Sequence, residues 1–144
     1  YPPIEEIMLH RDQMLLAERV VDYSADCIVC AVRISPESAF VDHGRVDAVV
    51  ALEYMAQTIA AYVGLQRRTQ QLSPKIGYLI SARELSLEVD SFSVGSELVV
   101  EATRLWGEKE LGHFRCTVKQ GHDTLATGQL SVYQPPDPHD DDTW

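Results

Sequence analysis

Residues 45–71, RVDAVVALEYMAQTIAAYVGLQRRTQQ, form the longest run in the chain without strand alternation, and the run reads as a helix. From Val46 to Leu65 it is almost wholly apolar and small. Only Asp47, Glu53, Gln57 and Thr58 interrupt it, so no broad polar face is left for solvent. Such a helix needs protein packed nearly all round it. Glu53 and Gln57 are too polar, and the charges too close together, for a membrane span.

Glu53 and Gln57 are the anomaly. Four residues apart, they lie one above the other on one helix face. A carboxylate in apolar surroundings costs several kcal/mol unless it is paired, hydrogen-bonded or protonated. Two readings are open. Glu53 ties down a neighbouring loop or answers an arginine such as Arg83, or it is placed for acid or base work at the edge of a hydrophobic tunnel.

With 144 residues and 45% hydrophobic content, the chain is sized for one domain with a substantial core, expected over residues 1–134. A net charge of −10 argues against nucleic acid, which needs a basic face. Part of that acidity is the run 135–144, PPDPHDDDTW, whose prolines and aspartates suit a disordered tail better than a metal site. No metal or nucleotide motif is legible elsewhere. Neither is a secretory, transit or membrane segment, and the odd count of three cysteines suits a reducing, cytoplasmic setting. Cys27 and Cys30 have redox spacing but sit in a β-branched run. There they point to opposite faces, and buried apolar cysteine is the reading adopted.

Outward from the helix, residues 1–8 allow a short helical turn. Residues 14–23 and 26–34 read as a hairpin turning at Ser24-Ala25, and residues 38–44 as a loop. Beyond Ser73-Pro74, residues 76–89 read as one long strand or two short ones, residues 90–97 as a loop, and 97–106, 111–120 and 124–133 as three strands with short links. The class is therefore α+β: an antiparallel sheet of five to six strands wrapped around one long central helix. A sheet of this kind leaves an open edge, which favours pairing with a second copy.

These residues carry a family likeness. LHRDQMLLAERVVDYS, residues 9–24, resembles the L-P-H-R-x-P-x-L-L-x-D-R-V opening of bacterial 3-hydroxyacyl-[acyl carrier protein] dehydratases of the hotdog fold. ALEYMAQTIAAYVG, residues 51–64, resembles their L-E-x-M-A-Q-x-x-A helix, and residues 84–105 resemble their late strand-turn-strand segment, with Val94-Gly95-Ser96-Glu97 at the turn. The likeness runs from about Ile7 to Tyr133. It is nearest to predicted dehydratases of aryl polyene-type, fatty-acid-like synthesis, which share G-R-V-x-A-x-V-x-x-E-Y-M-A-Q.

The resemblance implies a hotdog homodimer, or a larger oligomer or heterodimer, with an interface tunnel for an acyl chain on the phosphopantetheine of a carrier protein, or on CoA. It implies no cofactor of the protein's own. In such enzymes a loop histidine from one subunit removes the α-proton of the 3-hydroxyacyl thioester and the helix carboxylate of the other helps the hydroxyl leave as water, chemistry that suits a base titrating near neutrality and a desolvated proton donor. Glu53 falls on the carboxylate and Gln57 on the glutamine after it. The N–H groups around Ala48 are placed to polarise the thioester carbonyl. The family loop H-F-P-x-x-P-x-x-P-G is shortened here, and an ungapped match carries its histidine onto no histidine. His43 takes the base role if the deletion lies between it and the helix, and is otherwise an exposed turn residue after Asp42. His10, on the opening motif, is read as structural; His113 and His122 are read as ordinary strand and turn residues. Arg67, Arg68 and Lys75 form the basic cluster, either for carrier docking or to complement the helix C-terminus. Acyl thioester hydrolysis, or a catalytically degenerate subunit beside an active partner, are the alternative functions.

Overall fold

The structure is a computed structural model that describes residues 1–108 and 110–136. Its frame is an antiparallel sheet in the order β1-β2-β7-β8-β9-β5. These strands are β1 (Arg19–Tyr23), β2 (Cys27–Arg33), β5 (Tyr78–Leu87), β7 (Glu97–Glu108), β8 (Leu111–Gln120) and β9 (Asp123–Tyr133). A small ribbon of β3 (Val41–Asp42), β4 (Arg45–Asp47) and β6 (Ser91–Ser93) stands apart from it. Alternation decides which side faces in. Along β8, Phe114, Cys116 and Val118 are buried against the helix while the residues between them face outward. The β8–β9 link turns on Gly121, whose φ of +60° suits glycine.

The helix α1 (Ala51–Thr69) lies on the concave face of the sheet, against β2, β7, β8 and β9. Met55, Ile59 and Tyr62 meet Ile28, Leu98, Val100 and Phe114 in the core, with the Tyr62 and Phe114 rings edge-on at 5.5 Å. Burying an aliphatic side chain of this kind contributes about 1.5–3 kcal/mol. Residues 48–69 are long and apolar enough to cross a membrane, yet most of this surface is closed by the sheet.

The helix is shorter than its sequence suggests. Arg45–Asp47 form β4, with Val46 opposite Val41 and Phe92 and fully buried. Asp47 then accepts a hydrogen bond from the Val49 N–H at 2.9 Å and caps a 3-10 turn, Ala48–Val50, that leads into α1. A β-branched valine followed by an aspartate is better served by a strand and a cap than by a helix interior. At the other end the Leu72 N–H closes on the Arg67 carbonyl while Gln71 takes a left-handed φ of +60°. The predicted loop 90–97 likewise contains β6, and the first strand begins only at Arg19, because Asp12–Met14 form a 3-10 turn.

The expectation that α1 is sheathed nearly all round is corrected. Glu53, Ala56, Ala60 and Val63, at helical spacing, form a half-exposed stripe. Beyond Glu53 the side chains of this stripe are short, which leaves room for a groove above them. Cys27 and Cys30 do face opposite sides of β2, and all three cysteines are free. Burial pushes the Cys30 and Cys116 thiols up to about 12. Of the tail, Pro135 and Pro136 belong to no regular element and residues 137–144 lie outside the described residues.

The segment before β1 docks on α1 at Gly64, where a Cβ would stand 1.9 Å from the Ile7 carbonyl oxygen. Gly64→Ala is expected to lower stability in urea unfolding by about 1–3 kcal/mol, although alanine contributes roughly 1 kcal/mol over glycine inside a helix. A variant as stable as the parent would show that Ile7 does not rest there. Alkylation of the native protein near neutral pH should spare Cys30 and Cys116 and reach them only after denaturation, as read by mass spectrometry.

Candidate active site

Glu53 sits in the first turn of α1 and Gln57 one turn later. The Gln57 side chain is fully buried and uses every hydrogen-bonding position it has. Its Oε1 accepts from the Leu16 N–H at 2.8 Å and the Ala17 N–H at 3.2 Å. Its Nε2 donates to the Met14 carbonyl at 2.7 Å and to Glu53 Oε1 at 3.1 Å. One amide thus anchors the chain at residues 14–17 and fixes the direction of the Glu53 carboxylate.

The second group at that carboxylate is His10, whose Nε2 lies 3.9 Å from Glu53 Oε1. The loop carrying it is clamped by Arg11, which donates to the Met8 and His10 carbonyls at 2.6 and 2.7 Å. Ile7 on Gly64 and residues 14–17 on Gln57 pin it to α1 from both sides. His10 and Glu53 are each about one-third exposed, at 35% and 37% of their side chains.

Both line a cavity of about 350 Å³, within the range of small-ligand sites. It follows the open stripe of α1 from Glu53 to Gln66, roughly 20 Å at the helical rise. Ala56, Ala60 and Val63 form its floor, Ile7 to His10 one wall, and Ile76, Leu79 and Val132 another. At the far end lie Tyr62, Gln66, Lys75 and Arg104. There the Tyr62 hydroxyl donates to the Ala25 carbonyl and accepts from Gln66 Nε2 at 3.0 Å. Burial pushes this phenol up and the neighbouring Arg104 guanidinium pulls partly back. The trench therefore has an acid–base end, an apolar middle and a polar end.

Of the four residues given a catalytic or substrate-binding role in the sequence, Glu53 alone lines this cavity; His10, read there as structural, and Lys75, of the basic cluster, line it too. Gln57 supports Glu53 from beneath, with no position left for a substrate. The Ala48 N–H donates to the Asp90 carbonyl at 3.0 Å and the Val49 N–H to Asp47, so these amides are spent within the chain. His43 stands at the tip of the β3–β4 hairpin with φ +52°. Its side chain is 92% exposed and its Nδ1 is 2.8 Å from Asp42 Oδ1. Within the chain it does not join the lining of the cavity.

Arg83 is exposed on β5 opposite Gln129, and among the described residues no ion pair joins it to Glu53. His113 stacks on Trp106 at 3.6 Å and its Nδ1 lies 2.6 Å from Ser131 Oγ, on the outer face of the sheet. His122 is in the β8–β9 turn. Arg67 Nε donates to the Ser73 carbonyl at 2.6 Å and Arg68 pairs with Glu6 at 3.3 Å, so both work at the helix C-terminus. Sequence reasoning missed His10 as a neighbour of Glu53, because no local periodicity links a loop before β1 to the first turn of α1.

The family described as ApeP-like, ApeP dehydratase, matches residues 2–141. Among solved structures, the dehydratase heterocomplex ApeI:P from Xenorhabdus doucetiae is similar at a TM-score of 0.90 and 28% identity, over 95% of this chain and 93% of that one. Cj0977, a sigma28-regulated virulence protein from Campylobacter jejuni, matches at a TM-score of 0.69 and 11% identity, over 93% of this chain and 96% of that one. PH1136 from Pyrococcus horikoshii matches at 0.66 and 14%, over 95% and 97%. These last two likenesses concern the fold alone. The fold is the hotdog, with one six-stranded antiparallel sheet and one long helix. A search of curated proteins returns no match.

Replacing Gln57 by leucine leaves the Leu16 and Ala17 N–H groups buried without their partner and takes the amide donor from the Met14 carbonyl. The variant is expected to lose about 2–5 kcal/mol in chemical denaturation, at roughly 1–3 kcal/mol for each unsatisfied group with partial relaxation. A loss below about 0.5 kcal/mol, the size usual at surface positions, would show that the amide is not the anchor.

Proposed function

The chain belongs to the ApeP-like dehydratase family, and from that premise we propose that it eliminates water from a 3-hydroxyacyl chain held as a thioester on the phosphopantetheine of a carrier protein, in aryl polyene-type synthesis. One observation carries the reading: a carboxylate, aimed by a buried amide, stands at the end of an apolar trench about as long as an extended acyl chain. The alkyl part would lie on Ala56, Ala60 and Val63, where apolar burial supplies affinity. The 3-hydroxyl would then meet Glu53, whose carboxyl can protonate the departing oxygen so that water leaves rather than hydroxide. Loss of the α-proton needs a base, and the exposed His43 could serve as one only across a subunit boundary.

A second reading concerns assembly. The similar Xenorhabdus structure is a complex of two dehydratase subunits. In this chain β5 ends the sheet as an open edge and exposes Tyr78, Leu79 and Ile80, with Ile76 just before it. A long apolar edge is unfavourable in water unless paired. Pairing with a second hotdog chain, of the same or another kind, would cover it.

The test is turnover of 3-hydroxyacyl thioesters to the enoyl thioester, by the chain alone and with a second hotdog subunit. Glu53→Gln is expected to reduce it by about 10²- to 10⁴-fold while the protein stays folded. Unchanged turnover in that variant would remove Glu53 from the chemistry, and release of free thiol in place of an enoyl product would favour hydrolysis.

A further inference from the structure

We propose that His10 is a catalytic base of this chain, acting with Glu53 of the same subunit. The inference rests on the dehydratase reading and names the group which that reading leaves open. Three observations carry it. His10 lines the trench at its carboxylate end, and its Nε2 is 3.9 Å from Glu53 Oε1. Its Nδ1 is buried with no hydrogen-bond partner among the described residues, so Nε2 is the ring nitrogen available to a bound molecule. The backbone around it is fastened to α1 on both sides, by Ile7 over Gly64 and by residues 14–17 on Gln57, so the imidazole is held rather than free to swing.

A gap of 3.9 Å is too long for a direct hydrogen bond and short enough for two groups to address adjacent carbons of one substrate. In the proposed step neutral His10 Nε2 takes the proton from the α-carbon. The C–H electron pair becomes the second bond between the α- and β-carbons, and the β-carbon–oxygen bond breaks with its electrons on oxygen. The Glu53 carboxyl gives that oxygen its proton, and water leaves. The pair ends as imidazolium and carboxylate, and a proton passed from His10 to Glu53 restores the starting state. No other reactant is needed.

The experiment measures turnover of a 3-hydroxyacyl thioester by the full chain, alone and with a second hotdog subunit, for the parent, His10→Gln, His10→Ala and Glu53→Gln, with unfolding midpoints recorded for each. His10→Gln is expected to lose about 10²-fold or more at a parent-like midpoint. Added imidazole should restore part of the activity of His10→Ala but not of Glu53→Gln, and substituted imidazoles should rescue in order of basicity. A residue that only positions Glu53 would not give that order. Parent-like turnover in His10→Gln with Glu53→Gln inactive would overturn the inference and leave the dehydratase reading intact. A folded His10→Ala that imidazole does not rescue would also overturn it. No enoyl product from the parent under either condition would overturn both.

Discussion

A single buried amide governs the arrangement. Gln57 lies in the core of the protein, where an unpaired polar group costs about 1–3 kcal/mol, and it escapes that cost through four hydrogen bonds. Two of its partners are N–H groups and one a carbonyl of the segment before β1, and the fourth is the carboxylate one turn back on its own helix. The anchoring of the N-terminal segment and the aim of Glu53 therefore come from the same side chain. Had Glu53 stood alone on that stripe it would sample several rotamers. With the amide beneath it, Oε1 is held by Gln57 Nε2 at 3.1 Å and lies 3.9 Å from His10 Nε2.

The second constraint is the unequal covering of α1. The sheet closes over the face that carries Met55, Ile59 and Tyr62 and leaves Ala56, Ala60 and Val63 half open. Small side chains there lower the floor enough to make a trench, and the loop around His10 and the start of β5 supply its walls. The same strand provides an open sheet edge with exposed apolar residues. The site and the surface available for assembly are thus contiguous, a natural consequence of wrapping a sheet only part of the way round a helix.

Much of the architecture was legible because it is written in local pattern. Alternation marked β8 at its observed ends and β7 and β9 within a residue or two, and the apolar run marked the helix. The misreadings fell where local preference and tertiary context disagree. Val46 looks like a helix interior residue by composition, but it is buried as part of a ribbon with Phe92. The role of His43 was left open by the sequence, and within one chain its side chain is exposed beside Asp42 and outside the lining of the trench. Ala48 is at the helix N-terminus, where free N–H groups are expected, but a distant carbonyl, that of Asp90, has taken its hydrogen.

By itself the sequence determined the class of the fold, the helix that bears the carboxylate and the pairing of Glu53 with Gln57, since these follow from spacing along one element. Tertiary structure alone decided which histidine meets that carboxylate, which amides remain free and where the open groove runs. Those facts depend on how segments far apart in the chain come to rest on one another, and no periodicity records that. A helical repeat places residues 53 and 57 together wherever the helix goes, whereas His10 reaches Glu53 only because Gly64 admits Ile7 and Gln57 binds the strand entrance.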